Sequence, residues 1–153
     1  MATCESAVVI RADRAALFAL TQDYGRRLRW DPFLKEARLL NGATVAAAGV
    51  RAWCVAWSGL GMETEYVSVS PPAVAAVRMT RGPAVLASFA GSWRFADAGP
   101  GRTRVAFRYH LRARPRWLRP LLEPLLAAWF GRDTRQRLHA LKRAAERTNI
   151  LNG

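Results

Sequence analysis

Along most of this chain apolar and polar residues alternate, and the period lengthens toward that of a helix only near the start and at the end. Residues 6–11 (Ser-Ala-Val-Val-Ile-Arg) are short and β-branched, and they predict a first strand that runs into a helix N-cap at Asp13. Residues 14–20 predict a helix with Ala16, Leu17 and Leu20 on one side. Residues 22–30 predict a second short helix, capped by Thr21 or Asp23 and ended by Asp31-Pro32.

Strands then follow one another between strong turn signals. Residues 34–40 stop at Asn41-Gly42, residues 50–57 at Ser58-Gly59-Leu60-Gly61, residues 62–70 at Pro71-Pro72, and residues 73–80 at Arg81-Gly82-Pro83. Two long alternating segments, 86–97 and 102–112, meet at Ala98-Gly99-Pro100-Gly101. One face of this pair carries Phe89, Trp93, Phe95, Val105, Phe107, Tyr109 and Leu111, and the other carries Arg94, Arg104, Arg108, His110 and Arg112. The inward side of residues 50–57 stays unassigned, because Arg51 shares a face with Trp53, Val55 and Trp57.

Prolines 115, 120 and 124 crowd the start of the last periodic segment. Proline costs about 3 kcal/mol inside a helix, so residues 116–122 are read as an irregular or single-turn piece, within a lid at 114–122, and a continuous helix is placed at 123–147. Leu125, Trp129, Leu138, Leu141 and Ala145 are taken as its inward stripe, with Arg132, Arg135, Arg137, Lys142, Arg143 and Arg147 facing water or flanking it, and residues 148–153 are expected to fray. Strand, two short helices, strands, long helix is an α+β order: a curved antiparallel β-sheet of about six to seven strands whose concave face receives the terminal helix, in one domain spanning residues 1–153.

Composition changes this picture little. A hydrophobic content of 51% suffices for a core and a lined cavity in a single domain. The net charge of +13 raises nucleic acid or an anionic membrane as partners. Arginine outnumbers lysine 22 to 2, however, and the arginines are scattered, with no basic run longer than two and no aromatic-basic motif, which argues against nucleic acid. The start of the sequence lacks the features of a secretory signal, which predicts a cytoplasmic protein. Cys4 and Cys54 lie far apart without ligand spacing and read as reduced, packed thiols, so neither a metal nor another cofactor is expected.

Val8-Val9-Ile10-Arg11-Ala12, Trp30-Asp31-Pro32-Phe33, Met62-Glu63-Thr64-Glu65-Tyr66-Val67, Phe89-Ala90-Gly91-Ser92-Trp93-Arg94-Phe95 and Thr103-Arg104-Val105 together resemble the helix-grip proteins of the SRPBCC superfamily, also called START-like or Bet v 1-like, in their polyketide cyclase/dehydrase and lipid-transport branch. The resemblance covers nearly the whole chain. It implies an apolar cavity between sheet and terminal helix that holds a polyketide, lipid or isoprenoid, with cyclisation, aromatisation or dehydration in some members.

Candidate residues follow from alternation. Glu63 and Glu65 are assigned to the solvated sheet face, paired across strands with Arg78, which turns Met62, Thr64, Tyr66 and Ser68 inward. Tyr66 and Tyr109 are the catalytic candidates, phenols able to hydrogen-bond a ligand oxygen and donate a proton. His110, on the arginine face, is set aside. Thr64, Ser68, Met79, Phe89, Trp93, Phe107 and Trp129 are the ligand-binding candidates within the cavity, and Trp30 is placed at its entrance. Two function classes stay open: a cyclase/dehydratase or carrier of a hydrophobic small molecule, as monomer or homodimer, and a membrane-peripheral module using Trp117, Leu118, Leu121, Leu122 and nearby arginines.

Overall fold

Strand β1 (Ala2–Ile10) pairs antiparallel with the last strand of the sheet rather than with its sequence neighbour, Ser6 facing Phe107 and Val8 facing Val105. The structure, a computed structural model, describes residues 2–152. After β1 come helices α1 (Arg14–Gln22) and α2 (Arg27–Trp30), then strands β2 (Leu34–Leu39), β3 (Arg51–Ala56), β4 (Gly61–Ser70), β5 (Val74–Arg81), β6 (Leu86–Asp97) and β7 (Thr103–Ala113). The seven strands form one antiparallel sheet in the order β1-β7-β6-β5-β4-β3-β2. Residues 11–33 therefore carry the chain from one edge of the sheet to the other. A single 3-10 turn (Arg116–Leu118) leads into helix α3 (Arg119–Arg147), which packs on β1 and β7.

Asp13 caps α1 as expected, accepting the Ala16 N–H at 3.2 Å. The second helix is shorter than the sequence suggests. Asp23 spends its carboxylate on Gly25 N–H and on Arg26 Nε at 2.8 Å, which stabilises a turn at the position where a cap was expected. Helix α3, by contrast, starts four residues before the predicted 123. Pro120 sits in its first turn, where its missing N–H has no intrahelical partner to lose, and Pro124 lies on the exposed side.

The junction between β7 and α3 is clamped at Ala113. Its buried N–H donates to Glu123 Oε2 at 2.9 Å, and its C=O accepts from Arg119 Nε at 2.9 Å. That exchange secures the helix start which the prolines weaken. At the other end the expected fraying is replaced by a 3-10 turn (Ile150–Asn152) whose Ile150 is buried in the core and whose carbonyl accepts from Arg26 Nη1; Gly153 lies outside the described residues.

The core sits between the concave sheet and the helices: Ile10, Leu17, Leu20, Trp93, Phe95, Val105, Phe107, Tyr109, Leu111, Leu138 and Leu141. Gly131 lets α3 approach closely, since a Cβ there would lie 3.3 Å from Cys4 Sγ. The inward stripe of α3 is Leu126, Phe130, Thr134, Leu138 and Leu141, so Leu125 and Trp129 point elsewhere, and Leu125 is 61% exposed. Trp129 and Leu138 are nine residues apart, two and a half helical turns, and cannot share a face. On the convex side the expected pair of Arg78 with Glu65 forms at 2.9 Å, while Glu63 instead accepts from Thr80 at 2.7 Å, and His110 meets Thr3 at 2.7 Å.

Candidate functional site

The concave face encloses a cavity of about 130 Å³. Its apolar wall is built from alternate positions of the central strands: Met62 on β4, Val77 on β5, Phe89 and Trp93 on β6, Phe107 and Tyr109 on β7, closed by Phe130 from α3. Gly91 shapes this wall. A Cβ there would meet the Phe107 ring at 2.8 Å, so only glycine lets that ring lie against the sheet. Strand β3, left unassigned from sequence, turns Cys54 and Ala56 to the cavity and Trp53 outward, where Arg81 lies 5.6 Å from the indole centroid.

A second, outer cavity of about 240 Å³ adjoins the first, lined in part by Pro32, Trp57 and Ser58. Phe33, Ala56, Trp129, Asp133 and Arg137 line both. These five residues therefore stand between the inner chamber and its vestibule.

Polar groups gather near this passage. Asp31 accepts from Arg27 Nε at 2.9 Å, from Arg137 Nη2 at 2.9 Å and from the Phe33 N–H at 3.1 Å, and its side chain is fully buried. Burial alone raises a carboxyl pKa; the two guanidiniums outweigh it here and hold Asp31 below the usual carboxylate range. Arg27 lies over the rings of Trp30 (5.1 Å) and Trp93 (5.6 Å), and Arg137 over Phe33 (5.2 Å). Asp133 is the one carboxylate among the described residues on the cavity wall, and desolvation pushes it above its ordinary value against the opposing pull of Arg137 and Arg132. The Thr64 and Thr134 side chains also line the cavity.

Both candidate tyrosines touch the cavity, yet their protons are already committed. Tyr66 donates to Gln22 Oε1 at 2.7 Å, and the Tyr24 hydroxyl lies 3.1 Å from its oxygen. Since Tyr66 has a single proton, Tyr24 is the donor of that second bond. The relay continues from Gln22 Nε2 to Thr21 Oγ1 at 3.0 Å and from Thr21 to the Phe18 carbonyl at 3.1 Å. Tyr109 donates to the Ala127 carbonyl of α3 at 2.8 Å. Burial raises both phenols above their ordinary value, Tyr66 further through its contact with Tyr24 and Tyr109 through Cys4. The open hydrogen bond that an acid role required is thus absent from both.

Thr64, Phe89, Trp93, Phe107 and Trp129 lie on the cavity wall. Three other candidates are placed elsewhere. Ser68 follows a β-bulge at Val67, where Tyr66 pairs with Val77 and Ser68 with Ala76; the extra residue flips the alternation, so Ser68 is exposed and Val69 turns to the core. Trp30 is 5% exposed, packs edge-on against Trp93 in the core and lines neither cavity. Met79 does face inward, opposite Thr64, but it packs against the core beside Gly82 and does not line the cavity. Sequence reasoning missed Tyr24, Arg27, Asp133 and Arg137. The i,i+4 spacing of Arg27 and Asp31 was the one available signal for the buried ion cluster.

A family model described as polyketide cyclase / dehydrase and lipid transport matches residues 1–146. Among solved structures, the protein XoxI from Bacillus cereus is similar at a TM-score of 0.79 and 11% identity, covering 95% of this chain and 96% of that one. The Zhui aromatase/cyclase from Streptomyces sp. R1128 is similar at 0.77 and 18% identity, covering 95% and 94%. A START superfamily protein from Mycobacterium smegmatis is similar at 0.68 and 12% identity, covering 91% and 98%. No curated protein matches the chain in sequence.

Proposed function

This chain belongs to the polyketide cyclase/dehydrase and lipid transport family, with the helix-grip fold of START-like proteins, and from that premise we propose that it binds a ring-bearing hydrophobic molecule whose oxygen-bearing end sits at Arg27 and Arg137. The observation that carries this is the segregation of the cavity: aromatic and aliphatic residues over most of the inner wall, and Arg137 with one elevated carboxyl at the passage, Arg27 sharing Asp31 with Arg137 just inside. Apolar burial supplies roughly 25 cal/mol per Å², and the guanidiniums fix which end faces out. A chamber of about 130 Å³ suits one ring, with the remainder of the ligand in the vestibule.

The same groups suit cyclisation followed by dehydration of a polyketide. Asp133 as carboxylate removes a proton from the carbon beside a ketone, and the electron pair moves to the carbonyl oxygen, whose charge faces Arg137. The enolate carbon bonds to a second carbonyl, and the resulting alkoxide takes the proton back from Asp133. Loss of that hydroxyl as water, with a neighbouring C–H proton, leaves the ring double bond. Tyr66 and Tyr109 position the walls in this reading. A carrier without turnover uses the same cavity, and the committed phenols favour it.

The test is extraction of the purified protein with organic solvent and identification of the ligand by mass spectrometry, followed by turnover of a synthetic polyketone. An oxygenated ring compound at one per chain supports binding, and loss of turnover in Asp133→Asn with Tyr66→Phe and Tyr109→Phe still active supports the chemistry. An empty cavity that takes up no ring compound overturns the binding reading, and full activity of Asp133→Asn overturns the mechanism.

A further inference from the structure

The solvent side of α3 changes character half-way along its length. Its exposed positions in the first half are Pro120, Leu121, Pro124, Leu125, Ala128 and Trp129, following an exposed Trp117, with no polar side chain among them. Trp117 is 78% exposed, Leu121 62% and Leu125 61%, so most of this face is open to solvent. From Arg132 onward the same side is polar: Arg132, Arg135, Gln136, His139 and Arg143.

Scattered exposed leucines need no explanation, but a continuous apolar strip three turns long does. Its surroundings indicate what covers it. Exposed Arg112, Arg114 and Arg116 stand at one end and exposed Arg132 and Arg135 at the other. The acids nearby are occupied or turned away, since Glu123 is buried on Ala113 and Asp133 faces the cavity. A second copy of this chain, docked strip to strip about a two-fold axis, would set arginines against arginines. An anionic lipid surface meets both features, with leucines and indoles entering the acyl boundary and guanidiniums at the phosphates. The strip also runs to the cavity: Trp129 lies on it and lines both inner chamber and vestibule, and exposed Trp57 and Leu60 rim the same opening.

We propose that the apolar strip Trp117 to Trp129, with its flanking arginines, docks this protein on an anionic bilayer with the cavity passage at the lipid surface. This stands on the surface alone and holds whether or not the cavity ligand is the one proposed above.

The experiment is flotation of the full chain with vesicles of phosphatidylcholine, with and without phosphatidylglycerol, in low and high salt. Binding is expected only with phosphatidylglycerol. Leu121→Ser/Leu125→Ser leaves the charge unchanged and should weaken it by about tenfold or more, the scale of two apolar side chains withdrawn from the interface. Arg114→Gln/Arg116→Gln should weaken it more than Arg94→Gln/Arg108→Gln on the convex face, although both pairs remove the same charge. Circular dichroism checks that each variant is folded. Absence of binding overturns the proposal. Binding that ignores the leucines and responds equally to both arginine pairs overturns it in favour of adsorption by net charge, and a dimer in solution that the leucine variant dissociates overturns it in favour of self-association.

Discussion

Replacing Asp31 by alanine strips the buried ion cluster of the carboxylate that both guanidiniums bond and leaves Arg27 and Arg137 facing each other across the gap. The Arg27 side chain is 6% exposed and that of Arg137 16%, both bonded to Asp31 Oδ2 at 2.9 Å; Arg27 has no path to water without moving its helix, whereas Arg137 can turn toward the vestibule. Breaking a buried pair by removing one partner costs about 3–5 kcal/mol. The rings of Trp30 and Trp93 beside Arg27 return part of that through cation–π attraction, which places the expected loss near 3 kcal/mol. Domains of this size hold about 5–15 kcal/mol in total, and each kcal/mol shifts the melting temperature by about 2–4 °C. Urea denaturation followed by tryptophan fluorescence should show the midpoint falling at unchanged slope, with a melting temperature lower by about 6–12 °C.

The pH dependence gives a second check on the same variant. The folded pKa of Asp31 is depressed, so its contribution is complete above the unfolded value of about 3.9 and is lost as the pH falls through the lower folded value. The gap between wild type and Asp31→Ala should hold steady from about pH 7 to 5 and close only below about pH 4. A loss under about 1 kcal/mol, or a gap already shrinking between pH 7 and 5, would refute the placement of this cluster in a dry interior.

Three further outcomes follow from the packing. Gly91→Ala should push the Phe107 ring into the chamber, costing about 1–3 kcal/mol in a thermal melt and lowering the uptake of ring compounds. Tyr66→Phe leaves Gln22 Oε1 without its donor and Tyr24 without its acceptor, a destabilisation of about 1–3 kcal/mol by urea titration. Glu123→Ala deprives the buried Ala113 N–H of its acceptor, and hydrogen exchange should show faster opening at residues 113–123 than at the centre of β7.

How much of this was legible in the sequence depended on whether local alternation was interrupted. From Phe89 onward on β6, past the irregularity at Ala87, and along β7 the period of two runs unbroken, and there the alternation assigns the inward residues from Phe89 to Leu111 as the structure has them. On β4 the bulge at Val67 adds one residue, a backbone event that leaves no mark in side-chain alternation, and Ser68 was turned the wrong way. On α3 the stripe was misread because Leu125 and Trp129 were joined to Leu138 across a half-turn; the stripe through Phe130, Thr134 and Leu138 was available, and it carries Asp133 and Arg137 on its flank. The exposed Leu125 was hidden by the assumption that a leucine on a helix faces the core. The Tyr24–Tyr66–Gln22 relay joins residues more than forty positions apart, which no local pattern reports.

The central claim is that the chamber behind Phe33, Trp129, Asp133 and Arg137 takes a ring with its oxygens outward, and the most direct measurement is calorimetric titration with 2-naphthoate of the wild type and of Thr64→Phe, whose new ring occupies the cavity. The wild type should bind one molecule per chain with a negative heat-capacity change, and the folded Thr64→Phe variant should not bind. Equal binding by both proteins would show that the ring compound sits elsewhere and would contradict the account.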